Sequence, residues 1–327
     1  MNSEKQHWTE RKQGGHASLA FLALLVKIFP HFLLVLIAVP VSFFYYLFDY
    51  GARKEALRYQ KNMILFSKKT ALKRAHPWVQ ILSFALCLIE KMEGWSGKTG
   101  LEKLEFMQDD VRDIKLRLSE GKGAVVIASH LGNMELLRCF SNLDFVGDNR
   151  TFSVTAVVDG DVSPDFMQVM QKINPSFKMD VINSKDFSPA TVEELESCIE
   201  RGSVLMIAGD RSSSASKHNI TESFLGKEAQ FPYGAFFIAS ILKAPVYYVF
   251  GLRKKTFSFF RRYRMCVHKS AINLECSRKE RDSRIKALCA EFRNYLESYC
   301  KKYPYQWYNF YNFWLKNQNP DIGDKSL

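Results

Sequence analysis

Residues 125–137, VVIASHLGNMELL, end an apolar, strand-like run in a histidine, follow it with Gly-Asn and place a carboxylate five positions on. On one continuous helix, at about 100° per residue, His130 and Glu135 would lie roughly 140° apart and could not face each other. A change of backbone form between them removes that obstacle. Val125 to Ala128 reads as a buried strand, Gly132 permits a tight turn and Met134 to Leu137 are good helix formers. A strand-turn-helix puts the imidazole at the carboxyl end of a strand, where open α/β sheets bind ligands. A histidine held there by a carboxylate has the makings of an oriented general base. An isolated H-x4-E reads equally well as a histidine satisfied by a backbone carbonyl beside a solvated Glu135.

Two further stretches carry candidate groups. Residues 204–214, VLMIAGDRSSS, repeat the pattern of an apolar strand closed by polar residues. Arg211 can hold a phosphate through its planar fork of donors, with Asp210 orienting it, or the pair can be a surface turn. In residues 224–250, FLGKEAQFPYGAFFIASILKAPVYYVF, Gly226, Pro232 and Gly234 shape a loop ahead of an apolar helix whose amino terminus offers free amides. Seven scattered cysteines without C-x-x-C pairs point to reduced thiols and no zinc framework. The other histidines lack H-x-x-x-H spacing, so no metal site is expected.

The elements that must position these groups follow from hydropathy. Hydrophobic residues make up 47% of 327 and aromatics 14%, which excludes a disordered chain. Residues 18–26 and 32–48 are apolar, long enough together to enter or span a bilayer, and are interrupted by Lys27, Pro30 and His31. Cations crowd after them at Arg53, Lys54, Arg58, Lys61, Lys68 and Lys69, placing the body on the cytoplasmic side. Residues 78–89 are too short to span and read as an interfacial or a core helix. From Leu101 the pattern alternates: a helix at 101–118, strands at 124–128, 152–158, 179–182, 204–208 and 246–252, and helices from 135 and at 165–173, 191–201 and 235–242. That alternation predicts an α/β fold with a mixed, largely parallel sheet flanked by helices. Three segments result: an anchor at 1–50, a basic and amphipathic connection at 51–100 and an α/β domain at 101–327. A formal charge of +12 calls for an anionic partner, and without any nucleic-acid motif an anionic membrane surface or acidic carrier fits better than nucleic acid. The basic clusters at 253–255 and 261–264 are candidates for that contact or are solvated strand edges.

HLGNME, the later GDR, the segment FLGKEAQFPYGAFFIASILKAPV and the closing YPYQWYNFYNFW, residues 303–314, occur in that order behind an apolar amino terminus. Together they resemble the lysophospholipid acyltransferase superfamily, in its branch related to the late acyltransferases of lipid A biosynthesis and to acyltransferases of bacterial glycolipids and aryl-polyene lipids. The sequence departs from glycerolipid members, which carry Glu-Gly where Phe231-Pro232-Tyr233-Gly234 stands here, so a glycerol-3-phosphate-type acceptor is not implied. The resemblance implies an O-acyltransferase in a bacterial inner membrane, without cofactor, with acyl carrier protein or acyl-CoA as donor and a lipid or glycolipid as acceptor. It implies His130 as general base with Glu135 fixing its tautomer. It implies substrate contacts from Gly132, Asn133, Asp210, Arg211, Gly226, Phe231, Pro232 and Gly234. The contrasting reading is a non-catalytic, membrane-anchored scaffold of the same fold.

Overall fold

The computed structural model describes residues 16–67, 70–96, 98, 104–107, 110–136, 152–158, 180–183, 187–211, 218–260 and 262–315. Four helices come first: α1 His16–Ile28, α2 His31–Phe48, α3 Tyr50–Phe66 and α4 Pro77–Trp95. Pro30 separates α1 from α2, since a residue ahead of a proline avoids helical geometry and proline itself donates no N–H. The body follows as β1 Leu104–Met107, α5 Asp110–Ser119, β2 Ala124–Gly132, β3 Val154–Val158, β4 Asp180–Asn183, α6 Pro189–Glu200 and β5 Val204–Ala208. It continues with β6 Asn219–Phe224, β7 Lys227–Pro232, α7 Tyr233–Leu242, β8 Val246–Arg253, β9 Tyr263–Lys269 and α8 Arg281–Lys302.

Seven strands form one sheet in the order β1-β9-β8-β2-β5-β3-β4, parallel at every pairing except β8 with β9. This is the mixed, largely parallel α/β architecture that the alternation predicts. The central strand β2 is buried on both faces, which is why it reads as an unbroken apolar run. Its side chains alternate: Val125, Ile127 and Leu131 enter the core under α7 and α8, beside Phe236, Leu288 and Phe292, whereas Ala124, Val126 and Ala128 face Ile114 and Leu118 of α5.

Three expectations change, and of the two readings of 78–89 the structure has the core helix. The helix expected over 101–118 is the edge strand β1 followed by the shorter α5, because pairing with β9 holds Leu104–Met107 extended. The loop expected around Gly226 is the β6–β7 hairpin, whose turn residues Leu225 and Gly226 both have positive φ, 51° and 79°, as a two-residue hairpin turn requires. The segment at 78–89 is part of the core helix α4, where Leu82, Leu86, Ile89 and Met92 pack with Ala23, Val26, Leu34, Val35 and Ala38 of α1 and α2. Arg253 is no surface cation, since its guanidinium is buried against Glu90 at 2.7 Å. The helix expected from 135, beyond Leu136, and that at 165–173 lie outside the described residues.

The carboxyl end of β2 is irregular. Ala128 pairs with Val249 of β8, yet Gly132 pairs with Gly251, so four steps along β2 match two along β8. Such a bulge bends the strand and re-aims its side chains, and His130 sits inside it. Gly132 makes the bulge possible with φ 78°, and a Cβ there would run into the carbonyl oxygen of Gly251. At Gly121, also at positive φ (73°), nothing lies within 4 Å of an added Cβ. Gly132→Ala is therefore expected to lower the melting temperature well beyond Gly121→Ala, which bears only the left-handed backbone cost of about 1–3 kcal/mol. Thermal unfolding of the two variants checks this, and equal losses would contradict it.

Candidate active site

Neighbouring parallel strands bring the site together. β2 and β5 run in register from Ala124 with Val204 to Ala128 with Ala208, so the residues beyond Ala128 and Ala208 emerge side by side at one sheet edge. The Gly209 N–H donates to the Ala128 carbonyl at 2.9 Å, extending the pairing one step. A side chain at Gly209 would meet Ile127 at 2.6 Å and Phe292 at 3.0 Å, so this approach requires glycine.

One residue further, the carboxylate of Asp210 is fully buried and receives three donors. His130 Nδ1 lies 2.8 Å from Oδ1, the His130 backbone N–H donates to Oδ2 at 2.8 Å, and the Trp307 indole N–H donates to Oδ2 at 2.9 Å. A carboxylate only accepts, so the proton of the neutral imidazole is on Nδ1 and the lone pair is on Nε2. The imidazole remains 19% exposed. Burial and the charge of Arg211 push the His130 pKa below its ordinary value, against the pull of Asp210. Burial would raise Asp210, but the charge of His130 and the donated hydrogen bonds outweigh it and hold the carboxyl below its usual range. A neutral, oriented imidazole with Nε2 available can accept a proton from a bound hydroxyl.

The carboxylate that the sequence paired with His130 was Glu135; the one on Nδ1 is Asp210, and this corrects the expected pairing. Glu135 follows the bulge in a turn, its N–H donating to Asn133 Oδ1 at 3.1 Å, and its carboxylate accepts the Trp95 indole N–H at 3.2 Å. Asp210 likewise gives its carboxylate to His130 and Trp307, while the Arg211 guanidinium reaches the Tyr308 carbonyl at 3.5 Å. Gly132 and the buried Asn133 adjoin His130, with the Asn133 N–H on the Gly251 carbonyl at 2.7 Å. Gly226 and Phe231 lie in hairpin packing: a Cβ at Gly226 would strike Phe66, and Phe231 is fully buried against Phe224, Phe292 and Phe313. Pro232 caps α7 and Gly234 stands in its first turn with open space on its Cβ side.

Residues 306–308 complete the site. The Gln306 carbonyl accepts the Gly132 N–H at 2.8 Å, Leu131 bridges to Trp307, and the Tyr308 N–H donates to the His130 carbonyl at 3.0 Å. The Gln306 amide also brackets Arg253, accepting its N–H at 2.9 Å and donating to its carbonyl at 2.8 Å. Backbone polar groups freed by the bulge are thereby satisfied. The shared pattern of β2 and β5, two apolar strands ending in polar residues, could have paired His130 with Asp210. Nothing local marks Trp307 as their partner.

Asp210→Asn tests the assignment of the proton. Two N–H donors converge on Oδ2, so the amide oxygen of Asn settles there and its NH2 faces Nδ1. The imidazole is then forced to carry its proton on Nε2. Nitrogen chemical shifts of 15N-labelled His130 are expected to show Nδ1–H in the parent and Nε2–H in the variant. Nε2–H in both would contradict the geometry.

No curated relative matches the chain. Over residues 17–316, from α1 through the segment that closes the site, it matches the family described as bacterial lipid A biosynthesis acyltransferase. With nearly the whole length matched, the chain belongs to that family and is an acyltransferase relative built around an α/β sheet.

Proposed function

We propose that the protein moves a fatty acyl group from a thioester, on acyl carrier protein or coenzyme A, to a hydroxyl of a lipid or glycolipid acceptor. The observation that carries this reading is the pairing of His130 Nδ1 with buried Asp210, which leaves Nε2 as the basic atom at the carboxyl edge of the sheet. Nε2 takes the hydroxyl proton as that oxygen attacks the thioester carbonyl. The tetrahedral intermediate collapses by breaking the C–S bond, and the imidazolium returns the proton to the departing thiolate. Asp210 steadies the imidazolium. Glu135, five residues on from His130, is held by the Trp95 indole and has a supporting part beside Asp210. Arg211 is the candidate for holding a phosphate of donor or acceptor. The basic balance of the chain suits an acidic carrier protein and anionic lipid. Lys54 and the other cations after α2 favour the cytoplasmic face of an inner membrane.

The test uses purified full chain with a total bacterial lipid extract and either acyl carrier protein or coenzyme A thioesters, reading acyl-lipid by mass spectrometry. His130→Ala is expected to lower turnover of the folded protein about 10²–10⁴-fold, the usual worth of a positioned base, and also to lower the melting temperature, because buried Asp210 loses one of its donors. Turnover within a few fold of the parent would remove His130 from the mechanism. The base works only when neutral, and burial with Arg211 lowers its pKa. The acid limb of kcat/KM should therefore fall below about pH 6.5, the ordinary histidine value. A limb above that value would contradict the electrostatic account.

A further inference from the structure

We propose that the loop joining β8 to β9, residues 254–262, is a lipid-binding site of the α/β domain itself, where Phe257, Phe259 and Phe260 enter the headgroup boundary of an anionic leaflet. The proposal rests on the acyl-transfer reading for the lipid nature of the acceptor. It does not depend on how α1 and α2 meet a bilayer.

Residues 253–263, RKKTFSFFRRY, set three phenylalanines between two pairs of cations. Folding buries none of the three rings. Phe260 is 75% exposed, Phe257 and Phe259 are 44% and 43% exposed, and Lys255 and Arg262 on either side are exposed too. Lys254 is engaged by Glu105 of β1. The loop nevertheless has a defined shape. The Lys254 N–H donates to the Arg262 carbonyl at 2.9 Å, the Arg253 guanidinium donates to the Thr256 carbonyl at 3.1 Å, and the Phe260 N–H donates to Ser258 Oγ at 3.0 Å. Phe257 and Phe259 meet edge to face with ring centres 5.6 Å apart. An exposed apolar group rimmed by charge marks a surface that binds something.

The position of the loop decides what it meets. β8 runs parallel to β2 and Gly251 pairs with Gly132, so the loop leaves from the sheet edge that carries His130. Its root is bonded into the site, because Gln306, whose carbonyl accepts the Gly132 N–H, brackets Arg253 with its side-chain amide. Arg253 also pairs with Glu90 of α4 at 2.7 Å, and about one turn along α4 Glu93 meets His31 at 2.9 Å. Ile28 and Phe32, which flank that point in the chain, are exposed as well. Rings between cations suit the boundary where acyl chains give way to anionic headgroups, since the rings leave water while the cations stay with phosphate. An acidic carrier protein would match the cations alone, whereas a leaflet matches cations and rings together. With the loop seated, the edge bearing His130 faces the leaflet that holds the acceptor.

A fluorophore on Thr256→Cys tests this in the full chain, with Cys139→Ser and Cys276→Ser, mixed with vesicles of phosphatidylethanolamine and phosphatidylglycerol. Phe260→Cys is the second label site should the first lower the melting temperature. The aqueous reference is the same fluorophore on Cys276, beyond the opposite end of β9, in a chain carrying only Cys139→Ser. Vesicles are expected to shield the loop label from iodide and to quench it when their lipids carry a nitroxide near the headgroup, while the Cys276 label stays open to iodide. Phe257→Ser with Phe259→Ser is expected to reduce the lipid quenching. Equal iodide quenching at the two sites overturns the proposal, as does lipid quenching undiminished by those two substitutions, or full chain that fails to float with the vesicles. Shielding that appears only when acyl carrier protein is added, without lipid quenching, also overturns it and makes the loop a carrier contact. The readout involves no acyl transfer, so its failure leaves the role of His130 standing, and an inactive site leaves the quenching result standing.

Discussion

A single buried carboxylate organises the site. Asp210 has no exposed surface and would be costly as an anion without partners, yet it gathers an imidazole, a backbone N–H and an indole N–H on its two oxygens. Two of these donors belong to His130, in the bulge of β2, and the third to Trp307 in the segment after α8. Satisfying this charge therefore requires the bulge, the β2–β5 register and residues 306–308 to be in place together. The same bonds settle where the imidazole carries its proton, so the stability of the sheet edge and the chemistry of Nε2 share one cause.

The amino-terminal helices are joined to that centre by α4. One face of α4 is apolar and packs on α1 and α2, and Gln80, Ser83, Glu90 and Trp95 reach Trp307, Tyr308, Arg253 and Glu135. α4 thereby contacts both the amino-terminal helices and the segment that supports His130. The Glu90–Arg253 pair is the buried ionic contact between α4 and β8. Breaking such a pair costs more than the pair itself contributes, because the remaining charge stays buried.

Much of this was legible in the sequence. Apolar runs ending in polar residues marked β2 and β5, since strands buried on both faces must be continuous in hydrophobicity. The apolar segments broken at Pro30 marked α1 and α2, and His130 stood out because a histidine closing such a strand needs a reason. The partner of His130 was not legible. H-x4-E offers a nearby carboxylate, but proximity along a chain that turns does not fix which oxygen meets Nδ1, and strand register set that instead. β1 escaped notice because a four-residue edge strand is held by its neighbour and not by its own pattern. The hairpin at 219–232 was hidden because Leu225 occupies a left-handed position usually left to Gly or Asn.

The central claim is that Asp210, and not Glu135, sets the imidazole. Single-turnover acyl transfer by Asp210→Asn and Glu135→Gln, compared under identical conditions, tests it most directly. The account predicts a fall of about 10³–10⁴-fold for Asp210→Asn, the scale seen when an amide imposes the wrong tautomer on a catalytic histidine, and a smaller loss for Glu135→Gln. Asp210→Asn within tenfold of the parent, with Glu135→Gln nearly inactive, would contradict it.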